Sequence, residues 1–246
     1  MVNAIWLTHI SAYQKTENCF ASAEKIMNLK NQRRELLMQK YEVLLSHVRL
    51  ENYHTSQEIM LAEGRAAKLF WKNFSLLIPN WCNFRKRMPG SDDIGNHLLD
   101  IGYHQATNIV KKIIEKYDIS PALGILHIAH KSTSAPLAYD LVEMFRADIV
   151  EAEVLKFLRM KKRPIDELRQ KDIAVFLYRI NHRIDRKYFI KQFKRCHTYR
   201  YYMELQTLKF IKAVNQKVIF SPIHLPSRHD VRCTKEGRFH PKNLTL

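Results

Sequence analysis

The stretch PALGILHIAHKSTSAPLAYDLVEMFRADIVEAEV, residues 121–154, guides the interpretation of the whole chain. A short apolar run leads to His127 and a polar loop follows. A helix is then predicted from Pro136, because proline is tolerated in a first helical turn. This helix carries Asp140 and Glu143, and residues three apart share a helix face. The pattern predicts two carboxylates directed at one imidazole, a set of side chains that suits Mn²⁺ or Mg²⁺.

A third acidic ligand has to come from elsewhere, and Glu63 in AEGRAAKLFW (62–71) is the residue we select. Gly64 follows it, although a glycine inside a helix costs about 1 kcal/mol relative to alanine. We therefore expect another backbone or a nucleic-acid strand to approach closely there. A solvated helical glutamate is the alternative interpretation of Glu63. Arg146, one turn beyond Glu143, is suited either to a phosphate or to an ion pair with that glutamate.

The chain has few residues that interrupt helices. No glycine or proline precedes Gly64, and none lies between Ile165 and Ser221. A sheet protein needs frequent turn residues, so this distribution predicts an all-α fold. We divide the chain into an N-terminal stub with a long helix (1–54), a metal-binding helical lobe (55–163), a basic helical extension (164–221) and a tail (222–246).

Helix signals refine this division. Residues 1–10 are expected to be a stub of strand or a disordered lead, and a helical stripe of apolar residues follows from about Ser11 to Asn52. Thr55 and Glu58 have the spacing of a capping box. The remaining helices are predicted from this box to about Leu77, from a Ser91 cap to about Asp118, and over 136–160.

Charge is concentrated at one end of the chain. There are 41 basic and 24 acidic residues, a net charge of +17, and residues 161–246 contribute +14 of it while 121–160 carry −1. Such a polarity fits a polyanion held by basic surfaces beside a metal at the reacting phosphate. A generic basic protein, such as a ribosome-like one, is the alternative. The basic helices after Pro164 also carry tyrosines, which suits contact with a DNA backbone.

A second basic segment lies in the loop 78–91, where Phe84 and the run Arg85, Lys86 and Arg87 alternate aromatic and cationic groups. This composition suits phosphate contacts with base or sugar stacking, or simply an exposed solubilising loop.

Four widely spaced cysteines with no CxxC pair indicate reduced thiols in a cytoplasmic protein. No signal peptide and no apolar run long enough to cross a bilayer is recognised, so we expect no membrane association.

Several of these segments together resemble one family, the CRISPR adaptation integrase, a metal-dependent endonuclease that inserts new spacers into CRISPR arrays. The matching pieces, in the family's order, are AEGRAAKLFW (62–71), FRKRMP (84–89), DDIGNHLLDIGY (92–103), LGILH (123–127) and PLAYDLVEMFRADIV (136–150). Each piece is weak alone, and their order gives the resemblance its strength. It covers roughly residues 55–160.

The resemblance implies a set of site residues. The family's metal ligands fall on Glu63, His127 and Glu143, with Mn²⁺ or Mg²⁺ as the cofactor. Asp140 is the nearby acid, which either joins the catalytic group or orients the ligands, and Arg146 is the basic residue one turn further on. The residues implied to bind DNA are Arg85, Lys86, Arg87, Asn96 and Lys131.

The chain departs from the family at its N-terminus. Members usually begin with a small β-domain that forms much of a dimer interface, whereas here the matching glutamate is already residue 63. This resembles compact forms that lack most of that domain, or a truncated chain. The implied partners are double-stranded DNA, as donor fragment and CRISPR repeat, and further copies of the chain as a dimer or tetramer. A second adaptation subunit is a doubtful further partner.

The resemblance implies phosphodiester transesterification, in which the 3′-hydroxyl ends of a short donor duplex are joined to the CRISPR repeat. Two alternatives stay open from the sequence. One is a metal-dependent DNA nuclease or a transposon integrase with the same lobe. The other is a non-catalytic basic DNA-binding protein.

Overall fold

The computed structural model describes residues 2–45, 49–127, 135–161, 167–190, 195–223, 225–226 and 231–232. Its α-helices are α1 (Val2–Tyr13), α2 (Glu17–Gln39), α3 (Ser56–Leu77), α4 (Ile94–Glu115), α5 (Pro136–Val142), α6 (Ala152–Arg159), α7 (Gln170–Ile184) and α8 (Tyr199–Gln216). The strands are β1 (Lys187–Ile190), β2 (Arg195–Thr198) and β3 (Val231–Arg232). The predicted helical fold class is confirmed, with one small sheet added.

The N-terminus differs from the prediction. Residues expected to form a strand stub or a disordered lead are the helix α1, which buries Trp6, Ile10 and Tyr13 at helical spacing. The single long helix expected from Ser11 to Asn52 is also wrong, since α2 ends at Gln39. The chain turns at Glu42, whose φ of 61° lies in the left-handed region. An apolar stripe continues across this turn, so periodicity alone did not reveal it.

Helix α1 also supports the segment that leads to His127. The indole nitrogen of Trp6 donates a hydrogen bond of 3.0 Å to the carbonyl of Ser120. Gln14 Nε2 donates one of 2.6 Å to the carbonyl of Gly124. The first helix is therefore part of the frame that positions the candidate site.

The middle helices follow the prediction more closely. The capping box of Thr55 and Glu58 is present at the start of α3, which ends at Leu77 as expected. Helix α4 begins later than predicted: its cap is Asp93, which accepts a hydrogen bond from the backbone of Asn96, and Ser91 lies outside the helix.

The predicted helix over 136–160 is a continuous helical stretch whose hydrogen bonding changes along its length. Helix α5 passes through a 3₁₀ turn at Glu143–Phe145 and a π-helix at Ala147–Glu151 before α6 begins. A π-helical turn contains an extra residue, and such turns often occur at functional sites. Here Asp148 and Glu151 both pair with neighbouring arginines of α2. The helical stretch packs on α2 and α4 through side chains that are fully buried, including Leu141, Phe145, Val150 and Leu155.

The C-terminal part contains a small β-sheet that the sequence did not predict. β1 lies between β2 and β3 in an antiparallel sheet, with Tyr188 opposite His197. These strands are short and rich in basic residues, so they lack the long alternating pattern of an independent sheet. Cys19 and Cys82 are free, but Cys196 is disulfide-bonded, so the expectation of four reduced thiols is wrong. Across the described ranges, no helix combines the length and apolarity needed to span a membrane.

Candidate active site

One cavity of about 310 Å³ brings together side chains from α2, α3, α4 and the helical stretch 136–159. Glu63 lies in α3, Glu143 is the first residue after α5, and His127 lies in the loop that α1 supports. Residues far apart in sequence therefore share one cavity. Its other charged and aromatic lining residues are Lys30, Arg34, Trp71, Arg87, Tyr103 and Arg146.

Asp140 fixes the loop that carries His127. Its carboxylate is fully buried and accepts hydrogen bonds from the backbone N–H groups of Leu126 at 3.1 Å and His127 at 3.0 Å. The same carboxylate lies 2.6 Å from His127 Nδ1. Burial alone would lower the pKa of His127, but the hydrogen bond and charge of Asp140 raise it above its usual value. Because Nδ1 faces Asp140, Nε2 is the nitrogen left for a ligand.

Gly124 allows this arrangement. A Cβ atom at this residue would collide with Asp140 Oδ2 and would also meet the carbonyl carbon of Pro136 at 3.0 Å. Only glycine lets the backbone approach the carboxylate so closely. The glycine in the LGILH segment thus has a packing reason that connects it to the imidazole.

Lys30 of α2 lies between the two glutamates of the cavity. Its ammonium contacts Glu63 Oε1 and lies 2.8 Å from Glu143 Oε2, and its side chain is only 4% exposed. The contact with Glu143 lacks hydrogen-bond geometry, so within the described part of the chain Glu143 Oε2 has no hydrogen-bond partner. Burial would raise the pKa of Glu143, but the nearby charges of Arg146, Lys30 and Arg34 lower it to about 2.

Arg146 forms the ion pair with Glu143 that the sequence left as one of two alternatives. Its Nη1 lies 2.8 Å from Glu143 Oε1, while the guanidinium lies over the Tyr103 ring at 4.5 Å from the centroid. One face of the guanidinium therefore packs on an aromatic ring, and the side chain lines the cavity. A contact with phosphate stays a prediction.

Behind Tyr103 lies a second, fully buried charge cluster. Glu151 has no exposed surface, and Arg34 donates to it at 2.6 Å through Nη2 and 3.1 Å through Nε. The Tyr103 hydroxyl donates to the same carboxylate at 2.8 Å. The guanidinium of Arg34 also lies over the rings of Phe70 and Trp71. This cluster joins α2, α3, α4 and the π-helix into the wall of the cavity.

The donor chemistry of the cavity fits a divalent cation such as Mn²⁺ or Mg²⁺. Two carboxylates and an imidazole with a free Nε2 face one space, and one buried carboxylate oxygen lacks a hydrogen-bond partner within the described ranges. As the described side chains stand, however, no three His, Cys, Asp or Glu residues are grouped so that they could hold a metal ion. The ammonium of Lys30 lies where the two carboxylates converge.

Asn96 was predicted to bind DNA, and this contact stays a prediction, because in the structure its side chain is engaged within the protein. Its side chain is only 1% exposed. It accepts hydrogen bonds from Arg87 at 2.9 Å and from the backbone of Met88 at 2.8 Å, and it donates to the carbonyl of Lys86. It therefore fixes the basic loop to the start of α4, and the spacing of Asp93 and Asn96 belongs to this helix cap.

The basic loop itself has mixed outcomes. Arg85 and Lys86 are exposed, so their contact with DNA stays a prediction. Arg87 is held by Asn96 and Asp100 and lines the cavity. Phe84, expected to stack on a base or sugar, is buried against Trp71 and Phe74 and is not available for stacking. Lys131 lies outside the described residues.

Gly64 does not have the packing reason expected for it within the chain. Apart from its chain neighbours and the backbone of its own helix, no atom of the described residues lies within 4 Å of the position that a Cβ atom would occupy there. The expectation of a close neighbouring backbone is therefore wrong for the described residues, and the approach of a nucleic-acid strand stays a prediction.

Sequence reasoning missed several residues of the site, among them Lys30, Arg34, Tyr103, Gly124 and Glu151. Lys30 and Glu151 sit among other charged residues, and no sequence spacing shows which carboxylate meets which cation across 33 or more residues. For Tyr103, the sequence indicated only that the residue lies in a helix. Gly124 offered a usable signal, since a glycine between apolar residues often marks a close backbone approach.

The comparisons with known proteins agree with this picture. A profile of the family described as "CRISPR associated protein Cas1" matches residues 2–195. A relative from Saccharolobus solfataricus named "CRISPR-associated endonuclease Cas1 1" is 27% identical over 177 residues, which are 67% of this chain and 50% of that protein. The chain thus spans about half the length of that curated relative.

Two solved structures share the fold. A CAS1 protein from Thermotoga maritima superimposes with a TM-score of 0.75 at 18% identity, covering 85% of this chain and 69% of that one. A casposase bound to integration product superimposes with a TM-score of 0.70 at 20% identity, covering 89% and 68%. Because the family profile matches most of the chain, this protein belongs to the Cas1 family of CRISPR-associated proteins.

Proposed function

We propose that this protein is a metal-dependent DNA integrase and endonuclease of CRISPR spacer acquisition. The observation that carries the proposal is the convergence of Glu63, His127 and Glu143 on one cavity with basic walls, in a chain of the Cas1 family. Relatives named as endonucleases and a neighbour in fold that is bound to an integration product support the same class of reaction.

In the proposed reaction, the 3′-oxygen of a donor strand forms a bond to a phosphorus atom of the CRISPR repeat. The bond from that phosphorus to the 3′-oxygen of the repeat strand breaks, and the leaving oxygen takes up a proton while the attacking hydroxyl loses one. A bound Mn²⁺ or Mg²⁺ would supply Lewis-acid activation of the phosphate. Glu63, Glu143 and His127 would be its ligands.

Other residues would orient these groups. Asp140 holds the His127 ring through Nδ1, and the oriented imidazole then presents Nε2. Since Asp140 raises the pKa of His127 above the ordinary 6.5 and a protonated imidazole binds no metal, we expect metal binding to strengthen as pH rises above 6.5. Arg146 would bind a backbone phosphate at the cavity, and the basic residues after Pro164 would hold the flanking DNA.

A strand-joining assay tests the proposal. The protein is incubated with a 3′-OH duplex and a supercoiled plasmid carrying a CRISPR repeat, with Mn²⁺ or Mg²⁺. We expect Glu143→Gln to lower joining by about 100-fold or more, in the range seen when an electrostatic group of an active site is removed. Glu153→Gln is the matched control, because Glu153 is equally buried on the same helical stretch and paired with Arg179, but does not line the cavity.

The products also separate the alternatives. Shortened fragments without joined strands would indicate a metal-dependent nuclease, and DNA binding with steep salt dependence but no cation-dependent chemistry would indicate a binding protein. If Glu143→Gln retained full metal-dependent joining, the proposed set of metal ligands would be wrong. Whether a second adaptation subunit is required is tested by adding it to the same assay.

A further inference from the structure

Lys30 is a charged residue of the cavity that the proposed ligand set does not use, and it lies directly against that set. It lies in the middle of α2, is almost fully buried, and directs its ammonium at the two glutamates proposed as metal ligands. Burying a lysine is unfavourable unless its charge is paired, and here both partners are these carboxylates. The ammonium thus occupies the place at which the negative charge of the site converges.

This position cannot be shared. An ammonium and a divalent cation held by the same oxygens would repel each other at contact distance. Lys30 pairs with Glu143 Oε2 as an ion pair at 2.8 Å, and this contact depends on charge more than on hydrogen-bond direction. The lysine side chain has four rotatable bonds and a point charge that accepts many geometries. A cation that binds both glutamates must therefore displace the ammonium into the cavity.

Among the described residues that line the cavity, the displaced ammonium finds no carboxylate other than Glu63 and Glu143. Besides Glu63 and Glu143, the charged groups there are the cations Arg34, Arg87 and Arg146, together with the imidazole of His127. An anion brought in by the substrate is the partner that these surroundings require. In a site that joins DNA strands, that anion is a backbone phosphate oxygen.

We propose that Lys30 is a substrate-binding residue that exchanges partners: it holds Glu63 and Glu143 in the absence of substrate, and contacts a DNA phosphate when a divalent cation binds the two glutamates. The inference rests on the proposed function. It has a thermodynamic consequence, because two ligands that both favour the same displaced lysine must strengthen each other's binding. DNA should tighten cation binding, and the cation should tighten DNA binding.

The test measures Mn²⁺ affinity by the electron paramagnetic resonance signal of free Mn²⁺, with the binding of Mn²⁺ to the DNA alone subtracted. The proteins are wild type, Lys30→Met and the control Lys116→Met, whose lysine is exposed and paired with Glu204 outside the cavity. Without DNA, we expect Lys30→Met to bind Mn²⁺ at least 10-fold more tightly than wild type. Adding a 3′-OH duplex should tighten Mn²⁺ binding of wild type and Lys116→Met at least 10-fold, and of Lys30→Met much less.

Two further variants guard against effects on folding. Lys30→Gln repeats the test with a neutral polar group, and Lys30→Arg retains the charge and should gain no affinity for Mn²⁺. If Lys30→Met and Lys30→Gln bind Mn²⁺ no more tightly than wild type, or if DNA tightens binding equally in all variants, the inference is overturned. Failure of the proposed ligand set has a different signature, namely Mn²⁺ binding by wild type that Glu143→Gln does not weaken.

Discussion

Two buried glutamates on one helical stretch, Glu143 and Glu151, are held in opposite ways. Glu151 has its carboxylate fully satisfied by Arg34 and Tyr103 and does not line the cavity. Glu143 faces the cavity, is paired with Arg146, and leaves one oxygen with only an imperfect contact to Lys30. A closed ion pair of the first kind joins helices, whereas the second kind is suited to exchange partners. The two glutamates are alike in burial and charge, and they differ in how completely their carboxylate oxygens are hydrogen-bonded within the described residues.

The largest effect is expected when the ion pair between Glu151 and Arg34 is broken. Glu151→Gln leaves the buried guanidinium of Arg34 without its carboxylate, and removing one partner of a buried ion pair costs about 3–5 kcal/mol. We expect this loss in the free energy of unfolding, measured by urea denaturation at neutral pH. Tyr103→Phe, which removes one neutral hydroxyl donor to the same carboxylate, should lose less. A loss below about 1 kcal/mol for Glu151→Gln would show that the cluster does not join the helices.

The stability of the protein at acid pH tests the role of the Glu143 charge. The pKa of Glu143 is lowered from the ordinary 4.5 to about 2, so its ionised form stabilises the folded protein above pH 4.5. This contribution is lost as pH falls from 4.5 towards 2, and the difference between the two pKa values corresponds to about 3 kcal/mol. We therefore expect the unfolding free energy of wild type to fall more steeply over this range than that of Glu143→Gln. Parallel pH profiles for the two proteins would contradict the assigned cause.

The same contrasts separate the features that could be predicted from the sequence from those that could not. The helical class, the capping box of α3 and the shared cavity residues Glu63, His127 and Glu143 were accessible, because helix signals are local and family motifs name residues directly. The pairing of Lys30 with those glutamates was not accessible, since it depends on how α2 packs against α3 and the helical stretch. The same reason applies to α1 and to Gln14, which follows it. Their role becomes visible only through the hydrogen bonds from Trp6 to Ser120 and from Gln14 to Gly124.

A smaller effect is expected from the close approach at Gly124. Gly124→Ala inserts a methyl group against Asp140, and overpacking of this kind costs about 1–3 kcal/mol. Because Asp140 orients His127, we also expect Mn²⁺ affinity to fall about 10- to 100-fold, as for other changes behind a metal ligand.

Gly95→Ala is the matched control for this change. Its methyl group would meet the Phe84 ring at 2.8 Å and not the Asp140 carboxylate that orients His127. The two variants should lose similar stability in urea, while only Gly124→Ala loses Mn²⁺ affinity. An equal loss of affinity in both would assign the effect to general destabilisation and separate Asp140 from the role of orienting His127.

The smallest effect concerns the exposed glycine beside the cavity. Gly64→Ala adds a methyl group where no described atom outside its own helix lies within 4 Å. The gain in helix propensity should therefore stabilise the fold by about 1 kcal/mol. A glycine that weakens its own helix without a packing reason suggests that an external strand passes there, next to Glu63. We therefore expect Gly64→Ala to weaken binding of the 3′-OH duplex severalfold in a fluorescence anisotropy titration, despite the more stable fold. Unchanged affinity for the duplex would mean that DNA does not approach this face of α3.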